Sequence, residues 1–231
     1  AAKACYDVAK AYGTPFVSGK DSLNNEYQTA AGTIAIPATL LISAMAIVPD
    51  VRCTVTSDLK QTGNVLYLVG LTKDELGGSH YWALKDKIGR RAPMPDLATA
   101  PKTFAALHEA IKAGLVRSCH DLSEGGLAVA AAEMAFAGGL GAEIVLSKVQ
   151  RDDDVTRDEQ ILFSESTTRL LVEVSKLDCA KFERLLYGVP RSQIGLVNES
   201  GRLVAVGLKG EPVIDESIDS LRESWLRPLD W

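Results

Sequence analysis

Long apolar runs are absent from this sequence of 231 residues. No segment reaches the roughly 18 to 20 apolar residues that a membrane-spanning helix needs, and the longest candidate, residues 39–48, is too short. The N-terminus also lacks a basic stretch followed by an apolar one, so no signal peptide is indicated. We therefore expect a protein of the cytoplasm that does not enter a membrane.

Cysteine is scarce, and several catalytic signatures are missing. The 4 cysteines form no C-x-x-C pair, which argues against a zinc ribbon or a thioredoxin motif. We expect them to be buried, reduced thiols. The sequence has no Ser-His-Asp pattern and no dinucleotide-binding G-x-G-x-x-G. The net charge of -5 argues weakly against a nucleic-acid-binding protein.

The hydrophobic pattern predicts an α+β fold with a mixed sheet and packed helices. Helices and strands do not alternate strictly, which favours this architecture over a doubly wound sheet. The chain begins directly in a helical pattern without an initiator Met, so we expect it to be part of a longer protein. The predicted helices are 1–12, 103–112, 126–137 and 177–187, and the predicted strands are 33–48 (interrupted near Pro37), 64–69, 142–146, 170–174, 193–197 and 203–206.

Two further details of the fold follow from turn residues and short apolar segments. Residues 198–201 are typical of a tight turn, so we expect the last two strands to pair with each other around it. Phe16 and Val17 are predicted to end a short strand that leads into a polar loop.

The first candidate site is that polar loop, residues 18–26. Gly19 would let backbone N–H groups approach a phosphate, and Lys20 would supply positive charge to it. Asp21 or Glu26 would offer oxygen ligands to Mg²⁺. The loop is not a Walker A motif, because Thr14 stands where that motif has its first glycine. A polar surface turn is the alternative interpretation.

The second candidate site, residues 118–127, is a polar cluster followed by two glycines and an Ala-rich helix. Ser123 is predicted to cap that helix, whose free N–H groups would suit an anion. Asp121 would instead hold a metal ion, alone or bridged to phosphate. His120 could act as a general base, although a structural histidine held by hydrogen bonds is the favoured interpretation.

The third candidate site lies in residues 162–169, just before a predicted strand. Its hydroxyl groups at positions 164 and 166–168, beside Glu165 and Arg169, could bind a ribose or a phosphate. On its own, this pattern is weak.

Taken in order, these segments resemble the formylglycinamide ribonucleotide amidotransferase family, part of the aminoimidazole-ribonucleotide-synthetase-like superfamily. The resemblance covers essentially the whole chain, and its clearest motifs lie at residues 15–26, 76–82, 120–135 and 162–166, with the tail at 221–225 also similar. It implies a C-type synthetase-like domain at residues 52–231. Residues 1–51 would be the C-terminal end of a preceding N-type, ATP-binding domain.

The resemblance also implies a reaction, cofactors and partners. The family joins glutamine-derived ammonia to formylglycinamide ribonucleotide, using ATP and Mg²⁺, in purine biosynthesis. The implied partners are the rest of the synthetase chain and a glutaminase domain or subunit, and a homodimer is also suggested. The family's catalytic His has no counterpart here, so we expect no catalytic residue in this chain and no activity of the chain alone.

Residue by residue, the resemblance places ATP contacts at Gly19 and Lys20 and a substrate contact at Ser22. Lys20 departs from the Mg²⁺-binding Asn usual in bacterial members, and an ammonium cannot bind a cation, so the metal role would move to Asp21 or be lost. Asp121, Glu165 and Ser166 would form an auxiliary, pseudo-symmetric site, with Asp121 as a metal ligand. The alternative function is a non-catalytic scaffold that holds a nucleotide permanently.

Overall fold

The computed structural model describes residues 1–22 and 25–230, and the chain divides into two compact units, Ala1–Val51 and Arg52–Trp231. In the described part of the chain, no helix is long and apolar enough to cross a membrane.

The first unit consists of one helix and one hairpin. Helix α1 (Ala2–Tyr12) ends at Gly13, whose left-handed φ of 64° closes the helix. Strands β1 (Glu26–Thr29) and β2 (Gly32–Ala35) pair antiparallel. The predicted helix is confirmed. Of the strand predicted for residues 33–48, only the part in β2 forms. Residues 36–48 form no strand, and neither do Phe16 and Val17, because none of these residues pairs with another strand in this unit.

The second unit alternates between helices and strands without a strict βαβ order. The elements, in chain order, are β3 (Val65–Val69), α2 (His80–Ala83), α3 (Ala100–Lys112), β4 (Val116–Asp121), α4 (Gly126–Gly138), β5 (Gly141–Val145), α5 (Asp158–Phe163), β6 (Leu170–Val174), α6 (Cys179–Leu185), β7 (Arg191–Asn198), β8 (Arg202–Val206), β9 (Pro212–Ser217) and α7 (Ile218–Leu226). Short 3₁₀ turns cover Val51–Cys53, Leu146–Lys148 and Arg227–Leu229.

One mixed sheet of 7 strands forms the centre of the second unit, in the order β4-β6-β3-β7-β5-β8-β9. Neighbouring strands are antiparallel except β5 and β8, which run parallel. The predicted α+β class with a mixed sheet is confirmed. The predicted pairing of the strands on either side of residues 198–201 is wrong, because β5 lies between β7 and β8 and takes the hydrogen bonds of both.

Both faces of this sheet are covered by helices, as β3 shows. Val65, Tyr67 and Val69 belong to a core that includes residues of α3 and α6. Leu66 and Leu68 belong to a larger core formed with α4, α5 and α7. Because successive side chains of a strand point to opposite faces, a strand buried along its whole length needs packing on both sides. The unit therefore has a helical layer on each face of the sheet.

The buried carboxylate of Glu173 in β6 fixes the segment that enters the sheet. It accepts hydrogen bonds from the backbone N–H groups of Lys60 (2.8 Å) and Gln61 (3.0 Å), from Asn64 Nδ2 (2.7 Å) and from Ser118 Oγ (2.8 Å). A fully buried carboxyl group is tolerated only when its oxygens find hydrogen-bond donors in this way. Glu173 thus ties the residues before β3, and Ser118 of β4, to strand β6.

All 4 cysteines are free. The prediction of buried thiols fails for Cys53, which is exposed, and the other three are only partly buried. Burial raises the pKa of the Cys119 thiol to about 12. This thiol therefore stays protonated and unreactive near neutral pH.

Candidate functional site

The loop predicted to bind ATP lies on the surface of the first unit. Gly19, Lys20, Asp21 and Ser22 are all exposed, and the Lys20 ammonium donates to the Ser22 hydroxyl. Asn25 Nδ2 donates to the Ser22 carbonyl oxygen over 3.3 Å. The structure thus brings Lys20 and Ser22 together.

Nothing in the first unit explains sterically why residue 19 is a glycine. A side chain at Gly19 would meet open space, and the φ angle of this residue is not in the left-handed region. A ligand that approached the backbone closely at this position would explain why a glycine is present there.

The second predicted site is built where β4 ends and α4 begins. Gly125 and Gly126 both have left-handed φ angles, 78° and 61°. A Cβ on Gly126 would meet the carbonyl oxygens of Ser164 and, at 2.9 Å, Leu162. Only glycine therefore lets the start of α4 pack directly on the segment after α5. The predicted cap is wrong, because Gly125 occupies the N-cap position and no side chain caps the helix.

Ser123 acts on Asp121 instead of capping α4. Its hydroxyl donates to the Asp121 carboxylate, and His120 Nδ1 lies 3.4 Å from Asp121 Oδ1. The Ser123 hydrogen bond, helped by His120, holds the pKa of the Asp121 carboxyl below its usual range against the opposing effect of partial burial. Asp121 is therefore ionised at neutral pH, with a largely exposed side chain that is available to a cation.

His120 is held between two carboxylates. Its Nε2 lies 2.9 Å from Glu133 Oε2 on α4, opposite the Asp121 contact on Nδ1. With both ring nitrogens engaged, the structure supports the interpretation of His120 as a residue held by hydrogen bonds. Glu133 was not predicted as this partner, although its position on the helix that follows the motif was a usable signal.

The third predicted site meets the second at the start of α4. The backbone N–H of Gly125 donates to Glu165 Oε1 over 2.9 Å. The Glu165 side chain is half-buried. Two segments 40 residues apart in sequence thus place Asp121 and Glu165 at the N-terminal end of one helix. A metal–phosphate complex would suit this place, because its metal ion would offset the negative charge of the carboxylates.

Other residues of the third site serve the fold rather than a ligand. The Ser166 hydroxyl is buried and lies 3.0 Å from the backbone N–H of Lys73. Arg169 is 1% exposed and donates to the carbonyl oxygens of Ser166 (3.1 Å) and Ser164 and to Thr72 Oγ1 (3.1 Å). Burial lowers the pKa of the Arg169 guanidinium to about 10. Arg169 is therefore unavailable to grip a ribose or a phosphate.

The carboxylates of this region fit Mg²⁺ only as part of a shared site. Across residues 1–22 and 25–230, no group of three or more His, Cys, Asp or Glu side chains is placed to hold a metal ion. Mg²⁺ commonly takes one or two carboxylates and completes its shell with water and phosphate oxygens. Asp121 or Glu165 would supply such a carboxylate, with the remaining oxygens coming from water and a phosphorylated ligand.

A family profile described as AIR synthase related protein, C-terminal domain, matches residues 61–207. This chain belongs to that family. The match includes both segments that meet at the start of α4, and it confirms the expected place in the aminoimidazole-ribonucleotide-synthetase-like superfamily.

Curated relatives of this family member share one description, phosphoribosylformylglycinamidine synthase subunit PurL. The protein from Synechococcus sp. is 38% identical over 198 residues, which cover 84% of this chain and 25% of that protein. The protein from Thermoanaerobacter sp. is 35% identical over 237 residues, which cover 98% of this chain and 30% of that protein. The chain thus spans less than a third of the length of these relatives, and the expected resemblance to this synthase is confirmed.

Solved structures of the family share the fold. Thermotoga maritima PurL complexed with FGAR matches with a TM-score of 0.70 and 20% identity, over 93% of this chain and 36% of that chain. The T. maritima PurLQS structure gives a TM-score of 0.68 and 19% identity, over 93% of this chain and 34% of that one. Escherichia coli HypE, a hydrogenase maturation protein, matches with a TM-score of 0.51 and 18% identity, over 80% of this chain and 54% of that chain. At these identities the matches establish the fold alone.

Proposed function

We propose that this chain is part of an ATP-dependent ligase of purine biosynthesis. The ligase converts formylglycinamide ribonucleotide, glutamine-derived ammonia and ATP to formylglycinamidine ribonucleotide, ADP and phosphate. One observation carries the proposal: the family segments 120–129 and 162–166, remote in sequence, meet through the hydrogen bond from Gly125 N–H to Glu165. The curated relatives at 35–38% identity support the choice of this reaction.

The proposed division of labour follows the two units. Residues 1–51 would be the end of an N-type domain, with Gly19 and Lys20 contacting ATP and Ser22 contacting the substrate. Residues 52–231 would be a C-type domain. The exposed Lys20 ammonium, already beside the Ser22 hydroxyl, suits a phosphate oxygen. Because an ammonium repels Mg²⁺, we assign any metal contact in this loop to Asp21.

The chemistry is amide activation. ATP transfers its terminal phosphoryl group to the amide oxygen of the substrate, and ammonia then displaces phosphate at the same carbon. Bound Mg²⁺ would neutralise charge on the phosphate oxygens during this transfer. The residues of this chain orient and bind rather than act as acid or base. Asp121 offers an ionised carboxylate, His120 and Ser123 fix its orientation, and Glu165 is held by the start of α4.

The proposed partners and location follow from the short span of the chain. The rest of the synthetase and a glutaminase domain or subunit would complete the enzyme, and the PurLQS structure is a precedent for assembly among its relatives. Pairing of two copies through their C-type domains would be a further contact. An enzyme of nucleotide synthesis would work in the cytoplasm.

Completing the enzyme tests the proposed function. The chain is combined with the missing synthetase portion and a glutaminase, and ADP release is measured with formylglycinamide ribonucleotide, glutamine and ATP. We expect ADP release that depends on the substrate and is lost with Lys20→Ala, while the matched variant Lys10→Ala on α1 retains it. The scaffold function would be favoured instead if the assembled complex binds ADP but does not produce ADP from ATP when the substrate is added.

A further inference from the structure

A cavity of about 600 Å³ opens in the second unit, and none of the residues that line it belongs to the site at the start of α4. The residues that line it are Asp74, Leu76, Gly77, Trp82, Lys87, Gly89, Arg90, Arg91 and Arg157. Its volume lies within the range typical of small-molecule sites in proteins. No step of the proposed reaction uses it.

The charge of this cavity is opposite to the charge of the chain. Among the described residues that line it, the cationic side chains are Lys87, Arg90, Arg91 and Arg157, against the carboxylate of Asp74. The whole chain carries a net charge of -5. Clustering positive charge in a concave surface costs free energy by mutual repulsion, which an anionic ligand would relieve.

The backbone beneath the cationic side chains is fixed. Gly77 N–H donates to the Arg91 carbonyl oxygen and Gly78 N–H to the Ile88 carbonyl oxygen, both over 2.6 Å. A Cβ on Gly77 would lie 2.5 Å from the Arg91 carbonyl carbon, so the two segments touch backbone to backbone. A Cβ on Gly89 would lie 2.6 Å from Cδ1 of Trp82. Positive charge is therefore presented from a preorganised loop.

Two of the cations are free to receive a ligand. Arg91 pairs with Asp154, and Arg157 lies 3.2 Å from Glu159. Lys87 lies over the Trp82 ring at 5.6 Å, and Arg90 has no ion-pair partner among the residues that the structure describes. Lys87 and Arg90 can thus turn to an anion without breaking an ion pair, while Trp82 offers an aromatic face beside them.

We propose that this cavity binds a phosphorylated small molecule through a di- or triphosphate group, independently of Mg²⁺. Guanidinium and ammonium groups at one fixed site match the charge and the several acceptor oxygens of such a group. This inference goes beyond the proposed ligase function and does not depend on it.

Pyrophosphate, which lacks an organic part, is the most direct probe. The purified chain is titrated with it by calorimetry at low ionic strength, with a chelator present to remove Mg²⁺. We expect binding at one site, weakened roughly tenfold or more by Lys87→Gln/Arg90→Gln, because two charge-assisted hydrogen-bond donors are lost. The charge-matched control Lys209→Gln/Arg222→Gln changes exposed residues outside the cavity lining and should bind like the parent chain.

Tryptophan fluorescence gives a second, local readout. Pyrophosphate should change the emission of the parent chain and of Trp225→Phe, but not of Trp82→Phe, because Trp82 lines the cavity. Absence of binding, or equal weakening in both double variants, would overturn the proposal. Loss of pyrophosphate binding in Asp121→Asn would also overturn it, since the ligand would then lie at the start of α4. The ligase proposal would survive any of these results.

Discussion

Gly126 shows how a single residue joins two parts of the candidate site. Its left-handed φ of 61° and its contact with the carbonyl oxygens of Leu162 and Ser164 leave no space for a side chain. The glycine therefore fixes the start of α4 against the segment that carries Glu165. Sequence analysis identified the pair of glycines but assigned the helix cap to Ser123, because cap preferences do not reveal a contact with a remote segment.

Replacing Gly126 by alanine should destabilise the second unit strongly. We expect Gly126→Ala to lower the free energy of unfolding by about 3 kcal/mol, through backbone strain and forced displacement of the carbonyl groups. Gly188→Ala is the matched control, because its φ of 79° is also left-handed but its Cβ would meet nothing within 4 Å. Gly188→Ala should lower the free energy of unfolding by about 1 kcal/mol, from backbone strain alone. Urea denaturation measures the free energy of unfolding of both variants. Equal losses in the two variants would refute the close contact between Gly126 and the carbonyl groups.

The pH dependence of Asp121 follows from its lowered pKa. Hydrogen bonding from Ser123 favours the ionised carboxyl in the folded protein. Its ionised form therefore stabilises the fold above the unfolded pKa of about 4, and this contribution disappears as the pH falls through the lower folded pKa.

NMR titration of the Asp121 carboxyl tests this assignment. Ser123→Ala should raise the midpoint, because the largest cause of the lowered pKa is removed. The control Ser220→Ala, an exposed position on α7, should leave the midpoint unchanged. An unchanged midpoint in Ser123→Ala would contradict the hydrogen bond described here.

At the level of elements, local pattern predicted helices and buried strands well but not their partners. Helix α4 and strand β6 are found where periodicity and flanking glycines placed them. The prediction that β7 pairs with β8 was wrong, because β5, which lies more than 40 residues before β7 in the sequence, is placed between them. Such long-range pairing leaves no local signal. Strand β4 was missed because its polar residues, which include His120 and Asp121, do not alternate like those of a half-buried strand.

Gly195 provides a test of the observed strand order. A Cβ at this position in β7 would meet the Glu143 carbonyl oxygen of β5. We expect Gly195→Ala to cost about 2 kcal/mol and to reduce hydrogen-exchange protection in β5 and β7 before other strands. Leu196→Ala is the control, since the Leu196 side chain is 47% exposed and its truncation leaves the backbone pairing intact. If β7 and β8 paired directly with each other, Gly195→Ala would not reduce hydrogen-exchange protection in β5 and β7 first.

At the scale of the whole molecule, the sequence predicted the family and the segments of the site, but not the division of roles within them. Glu165 accepts a hydrogen bond from Gly125 at the start of α4, and Asp121 ends the strand that leads into this helix. Ser166 and Arg169 were predicted as ligand contacts, yet they are buried in hydrogen bonds to the backbone and to Thr72. Burial depends on how the sheet and helices pack, which a row of hydroxyl and charged residues does not reveal.

The central proposal for the second unit is that the start of α4, with Asp121 and Glu165, forms the auxiliary nucleotide site that the family resemblance predicts, and that this site requires Mg²⁺. Calorimetric titration of the purified chain with ADP and ATP, with and without Mg²⁺, tests it most directly. We predict a Mg²⁺-dependent component that is lost in Asp121→Asn and in Glu165→Gln. The exposed control variants Asp153→Asn and Glu199→Gln should retain it. Absence of a Mg²⁺-dependent component, or its persistence in both site variants, would contradict the claim.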